Sequence, residues 1–134
     1  MTGFNTNQFI FNENLNNTFL EELFDGDTHY AETVFGEFLK DLPGYWSSVE
    51  SSYIDNNISE LRASVHKCKT LFGYVGATVL QELCQEFENK FQHVSVTIAS
   101  LEPDYRVLLS EKEKTAQLIK GELNRLKAFN NRNC

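Results

Sequence analysis

The stretch Asn57-Ile58-Ser59-Glu60-Leu61-Arg62-Ala63-Ser64-Val65-His66-Lys67-Cys68-Lys69-Thr70-Leu71-Phe72-Gly73-Tyr74-Val75-Gly76 decides the fold. Its apolar residues Ile58, Leu61, Val65, Cys68, Phe72 and Val75 are spaced three and four apart, which on a helix of 3.6 residues per turn makes one narrow stripe. Asn57 and Glu60 have the spacing of a capping box, with Asn in place of Ser or Thr, and Gly76 supplies a stop. A stripe on one side of a helix has to be buried against other helices, so the rest of the chain should supply them.

It does so on both sides. Upstream, Ala31, Val34, Phe35, Phe38, Leu39 and Leu42 form a second stripe that Asp27 or Thr28 can cap. Tyr45, Trp46, Val49 and Tyr53 keep its phase beyond Pro43-Gly44, which predicts a kinked or restarted helix ending at Asp55-Asn56-Asn57. Before it, Thr18 is placed to cap a short helix carrying Phe19, Leu20, Leu23 and Phe24, closed by Asp25-Gly26-Asp27. Downstream, Leu80, Leu83, Cys84, Phe87 and Phe91 repeat the pattern, while Val94-Ser95-Val96-Thr97-Ile98 is ambiguous between strand and helix. Pro103 suits the first turn of a last helix bearing Leu108, Ala116, Ile119, Leu123 and Leu126. Four such stripes with short connections predict an all-α, antiparallel four-helix bundle with a short additional N-terminal helix, over residues 15–130. Residues 1–14 are Asn-rich but hold Phe4, Phe9, Ile10 and Phe11, and read as a loosely ordered arm whose aromatics can dock on the bundle.

Composition agrees with one domain. The 134 residues are 41% hydrophobic and include eleven Phe, enough for a core, while two Pro and seven Gly leave few turns for an all-β fold. A net charge of −7 argues against nucleic acid or an anionic membrane surface and for a protein partner. No segment approaches the ~20 apolar residues of a membrane span, and no basic start followed by an apolar run marks a signal peptide. A cytoplasmic location is therefore expected, and the opening Met1 favours a free-standing protein. The three cysteines form no Cys-x-x-Cys pair: Cys68 and Cys84 fall on stripes as small core residues, and Cys134 ends an exposed tail. His29 and His93 read as surface residues, and no metal site is expected from the histidine spacing.

His66 follows Val65 and so lies about 100° off the stripe, at the edge of the core where it can be reached. The residues three, four and seven positions away are Ser59, Arg62, Ala63, Lys69, Thr70 and Gly73, all small or cationic in an acidic chain. Neutral imidazole is a good nucleophile toward phosphorus, and Lys69, with Arg62 at longer range, would favour an added phosphoryl group. Mid-helix geometry makes Nε2 the expected acceptor. On this one helix an ordinary boundary histidine beside solvated cations is an equally good reading. Gly73 costs about 1 kcal/mol relative to Ala within a helix and lies on the His66 face; Gly76 also reads as a terminator.

These residues resemble the histidine-containing phosphotransfer (HPt) domains, whose motif is His, Lys three residues later, usually Gly next, and Gly ten residues after the His. His66, Lys69 and Gly76 match, as does the order of Thr18 to Asp27, Phe38 to Pro43 and Leu83 to Phe87 around them; Thr70 stands where the family usually has Gly. The resemblance covers residues 18–92 well and the last helix only by pattern. It implies that His66 accepts a phosphoryl group from the phospho-aspartate of one response-regulator receiver domain and passes it to another, with Lys69 and Arg62 stabilising the group. It further implies a docking face of Ser59, Ala63, Thr70, Gly73 and Gly76, with receivers and a hybrid histidine kinase as partners of a monomeric chain. The Mg²⁺ would sit on the receiver, leaving no cofactor here, and the chain would be a stoichiometric carrier without an ATP-binding kinase domain. Thr70 keeps open the alternative of a phosphorylation-independent module that docks receivers. A metal- or cofactor-binding bundle is the weakest reading, since Glu-x-x-His pairs are missing.

Overall fold

Most helices of this chain begin on a side chain that satisfies their first free amides, and those caps set the architecture. The computed structural model describes residues 8–92 and 95–132; Phe4, His93, Val94 and Cys134 lie outside the described residues. Asn16 accepts from the Phe19 amide at 3.1 Å and opens α1 (Asn17–Phe24), so Asn16 rather than Thr18 is its cap. Asp27 accepts from Tyr30 at 2.9 Å and opens α2 (Thr28–Ile54). Asn57 accepts from Glu60 at 3.1 Å and opens α3 (Ile58–Gly73). α4 (Thr78–Asn89) starts after Ala77 without a side-chain cap, and a 3-10 turn, Lys90–Gln92, follows it.

Two expectations change. α2 runs unbroken through Pro43, which lies with Gly44 on the exposed side where a missing ladder bond is least costly. α5 (Ile98–Arg132) begins five residues before Pro103, because Thr97 and Ser100 exchange hydrogen bonds, amide of each to hydroxyl of the other, at 2.9 and 3.1 Å. That reciprocal cap outweighs the strand propensity of the preceding β-branched residues, and no strand occurs among the described residues.

α2 packs against α3 and α5, and α4 closes the ring against the same two helices. The α2–α3 and α3–α4 connections are short, which turns successive helices antiparallel. At the other seam, Thr28 at the start of α2 bonds Asn130 near the end of α5, and Tyr53 near the end of α2 stacks on Tyr105 near the start of α5, with ring centroids 3.8 Å apart. Leu61, Val65, Cys68, Phe72 and Val75 are fully buried against Phe35, Phe38, Phe87 and Ile119 in one core. Burial pushes the Cys68 thiol up to about 12 and the Cys84 thiol higher still, which keeps both protonated and unreactive.

The described part of the arm is seated on the bundle. Phe11 is buried against Phe24 and Phe35, and Phe9 meets Phe11 and Phe129 edge-on. The Asn12 amide donates to the buried Glu122 carboxylate at 2.8 Å, while Arg125 pairs with Glu122, donates to the Ile10 carbonyl and covers the Phe9 ring. At the arm's end the Asn16 amide donates to the Gly76 carbonyl at 2.9 Å. Gly76 has φ +69°, and a Cβ there would lie 3.0 Å from the Leu20 side chain, so both backbone and space require glycine.

Candidate functional site

α3 and α4 face each other through two short polar rows. α3 offers His66, Lys69 and Gly73, spaced three and four; α4 offers Gln81, Gln85 and Glu88, spaced four and three. Because the helices are antiparallel, the rows pair as Gly73 with Gln81, Lys69 with Gln85, and His66 with Glu88.

The third pair is the chemical one. Val65 anchors its turn in the core, and the next residue, His66, emerges with its side chain 62% exposed. Glu88 is buried, and its Oε1 stands 2.8 Å from His66 Nδ1. A carboxylate only accepts, so Nδ1 carries the hydrogen and donates it; in the neutral ring the lone pair is then on Nε2, away from the carboxylate. The expectation that Nε2 faces outward rested on Nδ1 turning toward its own helix, whereas the partner that holds Nδ1 comes from α4.

Lys69 is not presented to solvent beside the ring. Its ammonium lies 2.8 Å from Glu88 Oε2, as a charge pair without directed hydrogen-bond geometry, and donates to Gln85 Oε1 at 2.6 Å. Gln85 in turn donates to Asn89, and Gln81 donates to the Lys69 carbonyl. Arg62 and Lys67 are exposed and make no ion pair among the described residues.

Ser59, Ala63 and Thr70 are exposed on the helix that carries the ring. Gly73 is half-buried, and a Cβ on it would lie 2.5 Å from Gln81 Nε2, so it is a notch that receives Gln81. Gly76 does not belong to a docking face: it is buried under Leu20. Sequence reasoning missed Glu88, Gln85 and Gln81. The available signal was Glu88 itself, four residues beyond Cys84 and next to Phe87, where a carboxylate sits in phase with the core and needs a partner.

Thr70, branched at Cβ, is exposed one turn beyond His66 on the same helix. If His66 exchanges phosphate with receivers, as the resemblance implies, and Thr70 crowds one side of the ring, Thr70→Gly is expected to speed transfer with at least some non-cognate receivers while costing about 0.5 kcal/mol of helix stability. Rates over a panel of phosphorylated receivers, measured beside thermal melts, check both effects; equal rates across the panel would remove Thr70 from partner selection.

The sequence pattern of the Hpt domain family matches residues 33–129, from the first turns of α2 nearly to the end of α5, leaving out the arm and α1. Among solved structures the chain is similar to the HPT domain from the Hpt sensor hybrid histidine kinase from Shewanella, with TM-score 0.70 and 23% identity over 84% of this chain and 95% of that one. At that identity the likeness is one of fold. A search of curated proteins finds no significant match. No helix among the described residues is long and apolar enough to cross a membrane.

Proposed function

Because the chain belongs to the Hpt domain family, we propose that it carries a phosphoryl group on Nε2 of His66 between receiver domains of a cytoplasmic, multistep two-component phosphorelay. Domains of this family are phosphotransfer modules of two-component systems, carriers rather than kinases. One observation supports the acceptor assignment above the others: a largely exposed imidazole whose Nδ1 proton is held by a buried carboxylate, leaving the lone pair on Nε2.

In this reading Nε2 attacks the phosphorus of a receiver's aspartyl phosphate. The P–N bond forms as the P–O bond to the aspartate breaks, and the aspartate carboxylate leaves with the electron pair. Nδ1 keeps its proton throughout, so the ring becomes a cation opposite Glu88 while the phosphoryl group is attached. Return to a second receiver is the same step reversed. The divalent ion and acidic pocket belong to the receivers, and exposed Arg62 adds long-range attraction for the incoming group. A hybrid histidine kinase with its own receiver is the upstream partner in this scheme.

Incubation with a phosphorylated receiver tests the reading. The expected product is one acid-labile, alkali-stable phosphate per chain, mapped to Nε2 of His66 and discharged by a second receiver. A chain that binds receivers tightly but takes no phosphate would instead be a docking module, the outcome that Thr70 in the usual glycine position makes worth testing.

A further inference from the structure

We propose that Lys69 serves phosphoryl transfer through Glu88, as a positioning residue, and does not contact the phosphoryl group. This rests on the reading of His66 as the acceptor. Three observations carry it. The Lys69 ammonium is occupied on two sides, 2.8 Å from Glu88 Oε2 and 2.6 Å from Gln85 Oε1, with its side chain only 20% exposed. Gln85 is fixed by its bond to Asn89, and the Lys69 backbone is held by Gln81, which reaches it over Gly73. The carboxylate that Lys69 binds is the one that holds Nδ1, the ring nitrogen that does not attack.

To reach a phosphoryl group on Nε2, Lys69 would have to leave a buried carboxylate with the imidazole N–H as its remaining partner. Breaking a buried charge pair on one side is disfavoured, because the abandoned charge has little water to turn to. An ammonium that stays in place does something else: it holds Glu88 aimed at the ring, and Glu88 holds the proton on Nδ1. With phosphate on Nε2 and a proton on Nδ1 the ring is a cation, and it leaves phosphorus as neutral imidazole when a receiver aspartate attacks. Lys69 therefore sets how readily the phosphoryl group departs while standing apart from it.

The test is a double-mutant cycle on the full chain with Lys69→Met, Glu88→Gln and both together, each confirmed folded by its thermal melt. Onward transfer to a receiver is timed, the pH profile of phospho-form hydrolysis is recorded, and ¹⁵N signals of the His66 ring report its tautomer before phosphorylation. Each single change is expected to slow transfer roughly 10-fold, the scale of a lost orienting partner, and to weaken the Nδ1–H preference. The double variant should be no slower than Glu88→Gln alone, and Lys69→Arg should restore most of the rate. Equal slowing by Lys69→Met in the wild-type and Glu88→Gln backgrounds, with an unchanged tautomer, would overturn the inference and place the ammonium on the phosphoryl group. A wild-type chain that takes up no phosphate would overturn the carrier reading as well, so the two failures are distinct.

Discussion

Replacing His66 by glutamine is expected to abolish phosphate uptake and leave the bundle folded. The imidazole is largely exposed, so little packing is lost. Glutamine is preferred to alanine because the carboxylate of Glu88 is buried, and an amide N–H can donate to it where Nδ1 did. No group on glutamine can form the P–N bond. Labelling by a phosphorylated receiver should fall to background, while the helical circular-dichroism spectrum and melting temperature stay close to wild type. Full labelling of the variant would move the acceptor elsewhere, with exposed His29 the first place to look.

Phe11→Ala should have the largest effect on stability. Phe11 lies in the arm, outside the span that matches the family, yet it is 6% exposed and its ring meets Phe9, Phe24 and Phe35. Truncating a buried Phe typically costs 3–5 kcal/mol, from lost transfer energy and the cavity left behind, and here about 3 kcal/mol is expected because the arm can partly relax into the gap. Loosening the arm also weakens the Asn12 amide contact to Glu122, so a buried carboxylate would keep Arg125 as its principal partner. Urea unfolding with a shared slope reads the change directly. A loss under about 1 kcal/mol would mean that the arm rests on the core without stabilising it.

Periodicity made the helices legible because it is a property of one segment at a time. The α3 stripe from Leu61 to Val75 is buried where the spacing puts it, and His66 stands at its edge for the same reason. Helix starts were read less well. Asn16 and Thr18 are both capable caps, and the choice between them depends on a contact from Gly76, sixty residues away. Thr97 and Ser100 carried a usable signal for the start of α5, but Pro103 was the louder one.

The partners of His66 were hidden for a deeper reason. Glu88 meets His66 and Lys69 only if α3 and α4 lie antiparallel in one particular register, and no single-helix pattern encodes that register. Gly73 and Gly76 illustrate the same limit. A glycine announces that something comes close, and only the fold says that the visitors are Gln81 and Leu20.

The ring contact between Phe9 and Phe129, 5.5 Å between centroids, brings the described chain's entry and exit to one corner of the bundle. That corner is at the end that the arm covers, where α2 starts and α5 finishes. His66 is seven residues from the end of α3 at Gly73, roughly 10 Å back along the helix at 1.5 Å per residue. The described chain therefore enters and leaves the bundle together, at the end away from the imidazole edge, like a flag held at one end of its pole.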